Sequence, residues 1–278
     1  MLQKYDMVKS SALLAVAAVG GALFAGSVHA SESDCNLGKG YDLGVSAYVA
    51  EAETCIRQAD NFEATISAGL FDAINQERVA NGLAPLNRRA SLDMAAKSHA
   101  LDMSVRIYAD HLDQEGRDHL HRIRAFDRTM LVGASGSNIT VSKSAADVSE
   151  VHAKIKQDAY SAENILRDSF TDVGIGVVEE AGQYYVVEVF AGAEGDLKQA
   201  LPVTATGSAP LRMEFANRNQ RLVAWGLTDS TSGEVLVRGS VPRVRYSSLD
   251  GADASLNVVV GQGNRSYVLK GPLVNGQN

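Results

Sequence analysis

The chain predicts an α+β fold, and three observations predict it. Apolar residues recur at helical spacing between Phe62 and the region of Asp168. The period then changes to two over Val173–Val178 and Tyr184–Phe190, and short β-branched runs separated by turn residues fill the chain beyond Leu211.

The first thirty residues stand apart from that fold. Lys4 and Lys9 precede an apolar stretch, Ser11 to Gly26, which closes on the small-residue exit Val28-His29-Ala30. This order reads as a cleavable signal peptide over 1–30. The stretch is short for a span, which needs about 20 apolar residues, so an uncleaved anchor is the weaker alternative. Ser-Asp-Cys35 lacks the small apolar residues that precede a lipidated cysteine. Export places the mature protein in a periplasm or outside the cell, with no membrane-spanning segment once the leader is removed. Losing Lys4, Lys9 and Asp6 from 26 basic and 33 acidic residues leaves 24 and 32, a net charge of −8. An acidic chain of this kind repels phosphate backbones and anionic headgroups, which argues against a nucleic-acid partner.

Cys35 and Cys55 are the only cysteines. In an oxidising compartment they form one disulfide that ties residues 31–60 together, stabilising the fold by roughly 3 kcal/mol for a loop of this size. The alternative is two free thiols in a loose leader. Tyr41 to Gln58, with Val45, Tyr48, Val49 and Ile56, suits a short helix. Phe62, Ile66, Leu70, Ile74 and Val79 mark a helix ending at Asn81-Gly82. Ser91 is the expected N-cap of the next helix, with Asp93 in its first turn and Leu92, Ala95, Ala96, His99 and Met103 on one face. A third helix is expected from Gly116 to Asp127 and a fourth within Ser144–Asp168, opened by Ser144. The runs Val173–Val178 and Tyr184–Phe190 form a hairpin around residues 179–183. Residues 193–210, rich in Gly, Ala, Pro, Ser and Thr, read as a linker. Six short strands in 211–278, with turns at Asp229–Gly233, Asp250-Gly251 and Gly261–Asn264, predict a small all-β domain.

Four stretches between residues 61 and 192 carry a resemblance. Asn75-Gln76-Glu77-Arg78 continues into Asn81-Gly82-Leu83-Ala84-Pro85-Leu86. Ala95 to Met103 leads to Asp110-His111 and Glu115-Gly116-Arg117. Gly136-Ser137-Asn138-Ile139 follows, then Glu163-Asn164-Ile165-Leu166 with Phe170-Thr171-Asp172-Val173-Gly174-Ile175-Gly176. In this order they resemble the CAP superfamily, the domain of cysteine-rich secretory proteins, antigen 5 and plant pathogenesis-related proteins, in its compact bacterial form. The resemblance implies an α-β-α sandwich with a central groove. In many members that groove holds two histidines and acidic residues able to bind a divalent metal.

Only the first histidine position is kept here, as His111. Ser137 stands where the family has glutamate and Ser161 where it has the second histidine, and a hydroxyl is a poor zinc ligand. No metal or other cofactor is therefore expected. The expected groove residues are His111, Ser137, Asn138 and Ser161, with both serines free to hydrogen-bond the histidine. His99 falls on an apolar helix face and reads as framework. His119 and His121 point apart if helical and chelate with His111 only if extended. Trp225 and Tyr246 read as core rather than as a recognition surface. No nucleophile elbow, Walker-type loop or dinucleotide loop occurs. The sequence thus favours a non-catalytic binding protein for a lipid, a cell-wall fragment or a protein. Two alternatives stand: a hydrolase with His111 as general base, assisted by Glu163 or Asp110, and a structural matrix protein.

Overall fold

The computed structural model describes residues 35–37, 44–143 and 147–276. The leader read over 1–30 lies outside them, as do Tyr41 and Ser144. Helix α1 (Val45–Gln58) buries Val45, Tyr48, Val49, Ala52 and Cys55, one stripe at helical spacing. Cys55 is disulfide-bonded to Cys35. Helix α2 (Ala64–Ala80) buries Ile66, Leu70 and Ile74 at intervals of four and stops at Asn81, where Gly82 takes φ +74. A short strand β1 (Asn87–Arg88) leads into α3 (Ala90–Arg106). Ser91 does not cap α3: the helix begins one residue earlier, and Ser91 Oγ donates to Asp127 Oδ2 at 2.5 Å.

Helix α4 (His119–Phe126) is capped by Asp118, whose carboxylate accepts from His121 N. The expected fourth helix is two helices, α5 (Val148–Ile155) and α6 (Ala159–Ile165). The division lies in the acids: Asp147 accepts from Ser149 N and Asp158 from Ser161 N, so each starts a helix of its own. Between α4 and α5 runs a strand that periodicity did not reveal, β2 (Met130–Ser142). The hairpin forms as expected from β3 (Asp172–Glu180) and β4 (Gln183–Leu197), turning at Ala181-Gly182 with both φ positive.

These strands divide two helical layers, and alternation along β4 sorts its side chains between them. Tyr185, Val187, Val189 and Ala191 pack with Leu92, Ala96, Ala100 and Met103 of α3. Val186 and Phe190 pack with Leu70 and Ile74 of α2, Val151 of α5 and Ile165 of α6. Gly174 and Gly176 let α3 lie directly on β3, because a Cβ at either would come within 2.0 Å of Leu92 C or 2.5 Å of Ala96 C. The result is a helix–sheet–helix sandwich.

The strand-rich C-terminal region extends the same sheet. After the short strands β5 (Thr204–Ala205), β6 (Ser208–Pro210) and β7 (Met213–Phe215) come β8 (Gln220–Asp229), β9 (Val235–Gly239), β10 (Arg243–Arg245), β11 (Asp253–Gln262) and β12 (Arg265–Gly276). The main order is β1-β3-β4-β2-β12-β11-β8-β9, and β10 pairs with β6 in a separate ribbon. The boundary drawn from composition at residue 192 falls inside β4, which continues to Leu197 and pairs there with β7. Residues 193–210 are thus strand and packed connection: Leu197, Leu201 and Ala205 are buried in the C-terminal core beside Trp225 and Tyr246. Their Gly and Ala content reflects tight packing as much as freedom.

Candidate groove around His111

Pairing leaves part of β2 with an open edge. Among the described residues β12 meets β2 in register only at Lys270 and Val132, while β4 covers the other side of β2 throughout. A cavity of about 530 Å³ lies beside β2, lined by His111 and Leu112 from the loop after α3, Asp118 and His119, Gly136, Ser137 and Ile139 of β2, and Asp158, Tyr160 and Ser161 at the start of α6. The polar lining groups face three apolar side chains, two of them prominent: Leu112 is 48% exposed and Tyr160 61%.

The loop that carries His111 is anchored through its backbone. His99 Nε2 bonds Asp110 O at 2.7 Å, and the buried Arg122 donates to His111 O at 2.7 Å and to Arg117 O at 2.8 Å. Burial holds the His99 imidazole well below its usual pKa, so it serves as a neutral framework group. Arg122 also lies 3.7 Å from Asp113 Oδ2, which balances its charge in the interior. The two buried side chains fix Asp110 and His111 while leaving the His111 ring at the surface of the groove.

His111 Nδ1 lies 2.9 Å from Ser137 Oγ, as the sequence suggested for a serine in that place. Ser161 turns away from it: its N–H and hydroxyl donate to Asp158 Oδ2 at 2.8 and 2.7 Å, because the side chain is engaged in capping α6. Asn138 does not line the cavity. Neighbouring strand residues point to opposite sides, so Ser137 reaches the groove while Asn138, 1% exposed, reaches beneath it and donates to Ser161 O at 3.1 Å and Glu188 Oε2 at 2.9 Å. Asn164 Nδ2 completes this floor with bonds to Asn138 Oδ1 and Ser137 O. Gly136 is needed above it, since a Cβ would meet Asn164 Oδ1 at 2.8 Å and Phe170 at 2.9 Å.

Glu188 is the residue sequence reasoning missed. It is fully buried between Ile175 and Asn138 on the neighbouring strands, its Oε1 has no hydrogen-bond partner among the described residues, and desolvation pushes its pKa up to about 7. The acid sequence reasoning did select, Glu163, is exposed and held by Arg167 at 2.8 Å. Asp110 is likewise occupied, accepting from Leu112 N. His119 lines the groove with its Nε2 3.2 Å from Ser135 Oγ, whereas His121 faces a different cavity beside Tyr48 and Arg117. Helix α4 thus separates the two histidines, and the extended arrangement in which both chelate with His111 does not occur.

The donors do not fit the divalent metal that the fold family implies. Among the described residues, the one place where three His, Cys, Asp or Glu ligand atoms converge is Cys35, Glu51 and Cys55, and those sulfurs are bonded to each other. At the groove, His111 and His119 are each paired with a serine, and Asp158 caps a helix. What the geometry offers is an amphipathic pocket with hydroxyl, imidazole and carboxylate groups on its walls.

A helix–sheet–helix sandwich with a histidine loop beside one sheet edge defines a class, and the sequence supports it independently. Residues 71–190 match the profile of the cysteine-rich secretory protein family, and this part of the chain is a CAP domain. No curated protein matches the sequence at a significant level. Among solved structures, an outer surface protein of Borrelia burgdorferi is 14% identical with a TM-score of 0.43, covering 47% of this chain and 94% of its own. An extracellular protein of Bacillus anthracis containing an SCP domain is 22% identical with a TM-score of 0.39; 46% of this chain aligns with 41% of it. Venom allergen-like protein 4 of Schistosoma mansoni is 12% identical with a TM-score of 0.35, covering 50% and 97%.

Proposed function

We propose that the protein is exported and works as a non-catalytic binding protein, its groove around His111 holding a small amphipathic ligand such as a lipid or a cell-envelope fragment. One observation carries this reading: the 530 Å³ cavity sets His111, Ser137 and Ser161 against Leu112, Ile139 and Tyr160, polar groups opposite apolar ones in one concave site. Export rests on the leader and agrees with the disulfide. Native mass spectrometry of protein purified from its own host tests both parts, because it reads the mature N-terminus and any retained ligand together. A ligand present on the wild type and depleted on His111→Ala is the expected result. Equal retention by both proteins, or no ligand above a control protein, overturns the groove reading.

The 2.9 Å contact between His111 Nδ1 and Ser137 Oγ favours one second reading, hydrolysis with His111 as general base. Neither acid expected to assist is free to orient the imidazole, since Glu163 and Asp110 are engaged elsewhere. A serine-directed phosphonate probe separates the two: labelling of Ser137 that is lost in His111→Ala supports the hydrolase, and an unlabelled Ser137 supports the binding protein.

A further inference from the structure

The charge of this chain is unevenly distributed. Its net charge is −7, yet residues 211–278 carry eight basic and five acidic side chains, +3, which leaves −10 for the rest. Arginines are used differently in the two parts. From Arg57 to Arg167 every arginine has a hydrogen-bonding partner: Arg78 binds four carbonyls, for example, and Arg89 binds Asp127 and Asp196. The seven arginines beyond residue 210 are all exposed, and among the described residues none has a side-chain hydrogen bond or ion pair.

Two of these arginines share one face of the sheet with Lys270. Trp225, Leu227, Val258, Val260 and Leu269 point into the C-terminal core, so the residues alternating with them lie on the other side. Register aligns that outer side into rows. Arg238, Gly226, Asn257 and Lys270 form one across four strands; Ala224, Val259 and Val268 form the next; Arg221, Gly261 and Ser266 form the third. The side chains of Arg221 and Val223 lie over Gly261, where a Cβ would meet Val223 Cγ2 at 3.0 Å and Arg221 Nε at 3.5 Å. Val223 and Val268 remain 40% and 43% exposed. The three rows contain no carboxylate, and Gly226, Ala224 and Gly261 place only small groups between the cations.

We propose that this outer face of β8, β9, β11 and β12 docks on an anionic lipid surface. Charge complementarity selects the partner: a cluster of cations free of carboxylates, on a chain that is otherwise acidic, is drawn to anionic headgroups and turns the acidic remainder away from them. Arginine suits this contact because its fork bonds phosphate oxygens in pairs. The exposed Val223 and Val268 favour a bilayer over a soluble polyanion, which needs no apolar contact. The proposal is independent of the ligand in the groove.

The test is co-sedimentation of the full mature chain with vesicles of phosphatidylglycerol and phosphatidylcholine in equal parts, against vesicles of phosphatidylcholine alone. Binding is expected to the first only, and to disappear at about 0.5 M salt, where screening is nearly complete. The double variant Arg221→Glu/Arg238→Glu should lose about ten-fold or more in partitioning. Arg243→Glu/Arg245→Glu makes the same change in net charge on β10, whose Val244 packs into the opposite side of the core, and should bind like the wild type. Val223→Ser/Val268→Ser keeps every charge and should weaken binding several-fold. Circular dichroism confirms that each variant is folded. Absence of binding to anionic vesicles, equal losses in the two arginine variants, or binding to soluble polyphosphate without binding to vesicles would each overturn the proposal.

Discussion

A carboxyl group buried with no cation beside it is more stable holding its proton, and Glu188 is such a group. Its pKa rises from 4.5 to about 7 on folding, with burial as the cause and the Asn138 hydrogen bond opposing it. Its contribution to stability is therefore fully present below about pH 4.5 and is lost as pH rises through about 7, by roughly 3 kcal/mol. Glu188→Gln keeps the shape and can accept from Asn138, so the variant should melt well above the wild type at pH 8 and close to it at pH 4.5. Thermal denaturation at the two pH values checks this, and an equal difference at both would mean that the proton plays no part. His99 and His121 act in the opposite direction. Burial lowers both, His121 to about 4, so their contribution is present above the unfolded value of 6.5 and lost as pH falls through the folded one. Because both proteins share these histidines, the comparison isolates Glu188. At this scale His111 and Ser137 were legible, since each sits in a motif whose order and spacing could be matched. Asn138 and Glu188 were not. Which side of a strand a polar residue faces depends on register, and a lone glutamate in a valine run carries no signal of its own.

The contact of α3 with β3 depends on two side chains that are missing. A methyl group at position 176 would lie 2.5 Å from the backbone of Ala96 and Lys97, which a helix 17 residues long cannot relieve by moving a rotamer. Gly176→Ala should therefore cost about 1–3 kcal/mol or more, read as a lower urea midpoint with an unchanged slope. Gly182→Ala, in the exposed hairpin turn where a Cβ would meet nothing within 4 Å, is a useful comparison because it carries only the backbone strain of a φ of +74. Helices α1, α2 and α3 and the β3–β4 hairpin were legible from their apolar spacing. Strand β2 was not: Gly133, Ala134, Ser135, Gly136 and Ser137 interrupt its alternation with small residues. They are small because Glu194, Asn164 and Phe170 press against the strand at Gly133 and Gly136, a constraint set by tertiary neighbours. The division of α5 from α6 was in principle readable, as both Asp147 and Asp158 stand where an N-cap is wanted.

Across the whole molecule, the contacts between the CAP domain and the C-terminal strands determine whether the chain has one core or two. Leu273 of β12 packs with Val45 and Tyr48 of α1 and Phe126 of α4, and Leu131 of β2 belongs to the cluster around Trp225. Two half-buried arginines after the start of α4 reach across as well. Arg124 donates to Gly271 O and Leu256 O at 2.6 and 2.7 Å, and Arg128 donates to Leu201 O at 2.7 Å and Leu273 O at 2.6 Å. Removal from water lowers both guanidinium groups to about 10, and the carbonyl oxygens they reach offset that cost. Removing the residues after Leu197 would strip those acceptors, expose the α1 and α4 stripe and leave the second edge of β2 unpaired along its length. The full mature chain should therefore unfold in calorimetry as one transition whose calorimetric and van't Hoff enthalpies agree, and a chain ending at Leu197 should be insoluble or melt at a much lower temperature. Two resolved transitions, or a truncated chain that melts with the full one, would show instead that the CAP domain is stable alone and that the C-terminal strands are a module added to a finished sheet.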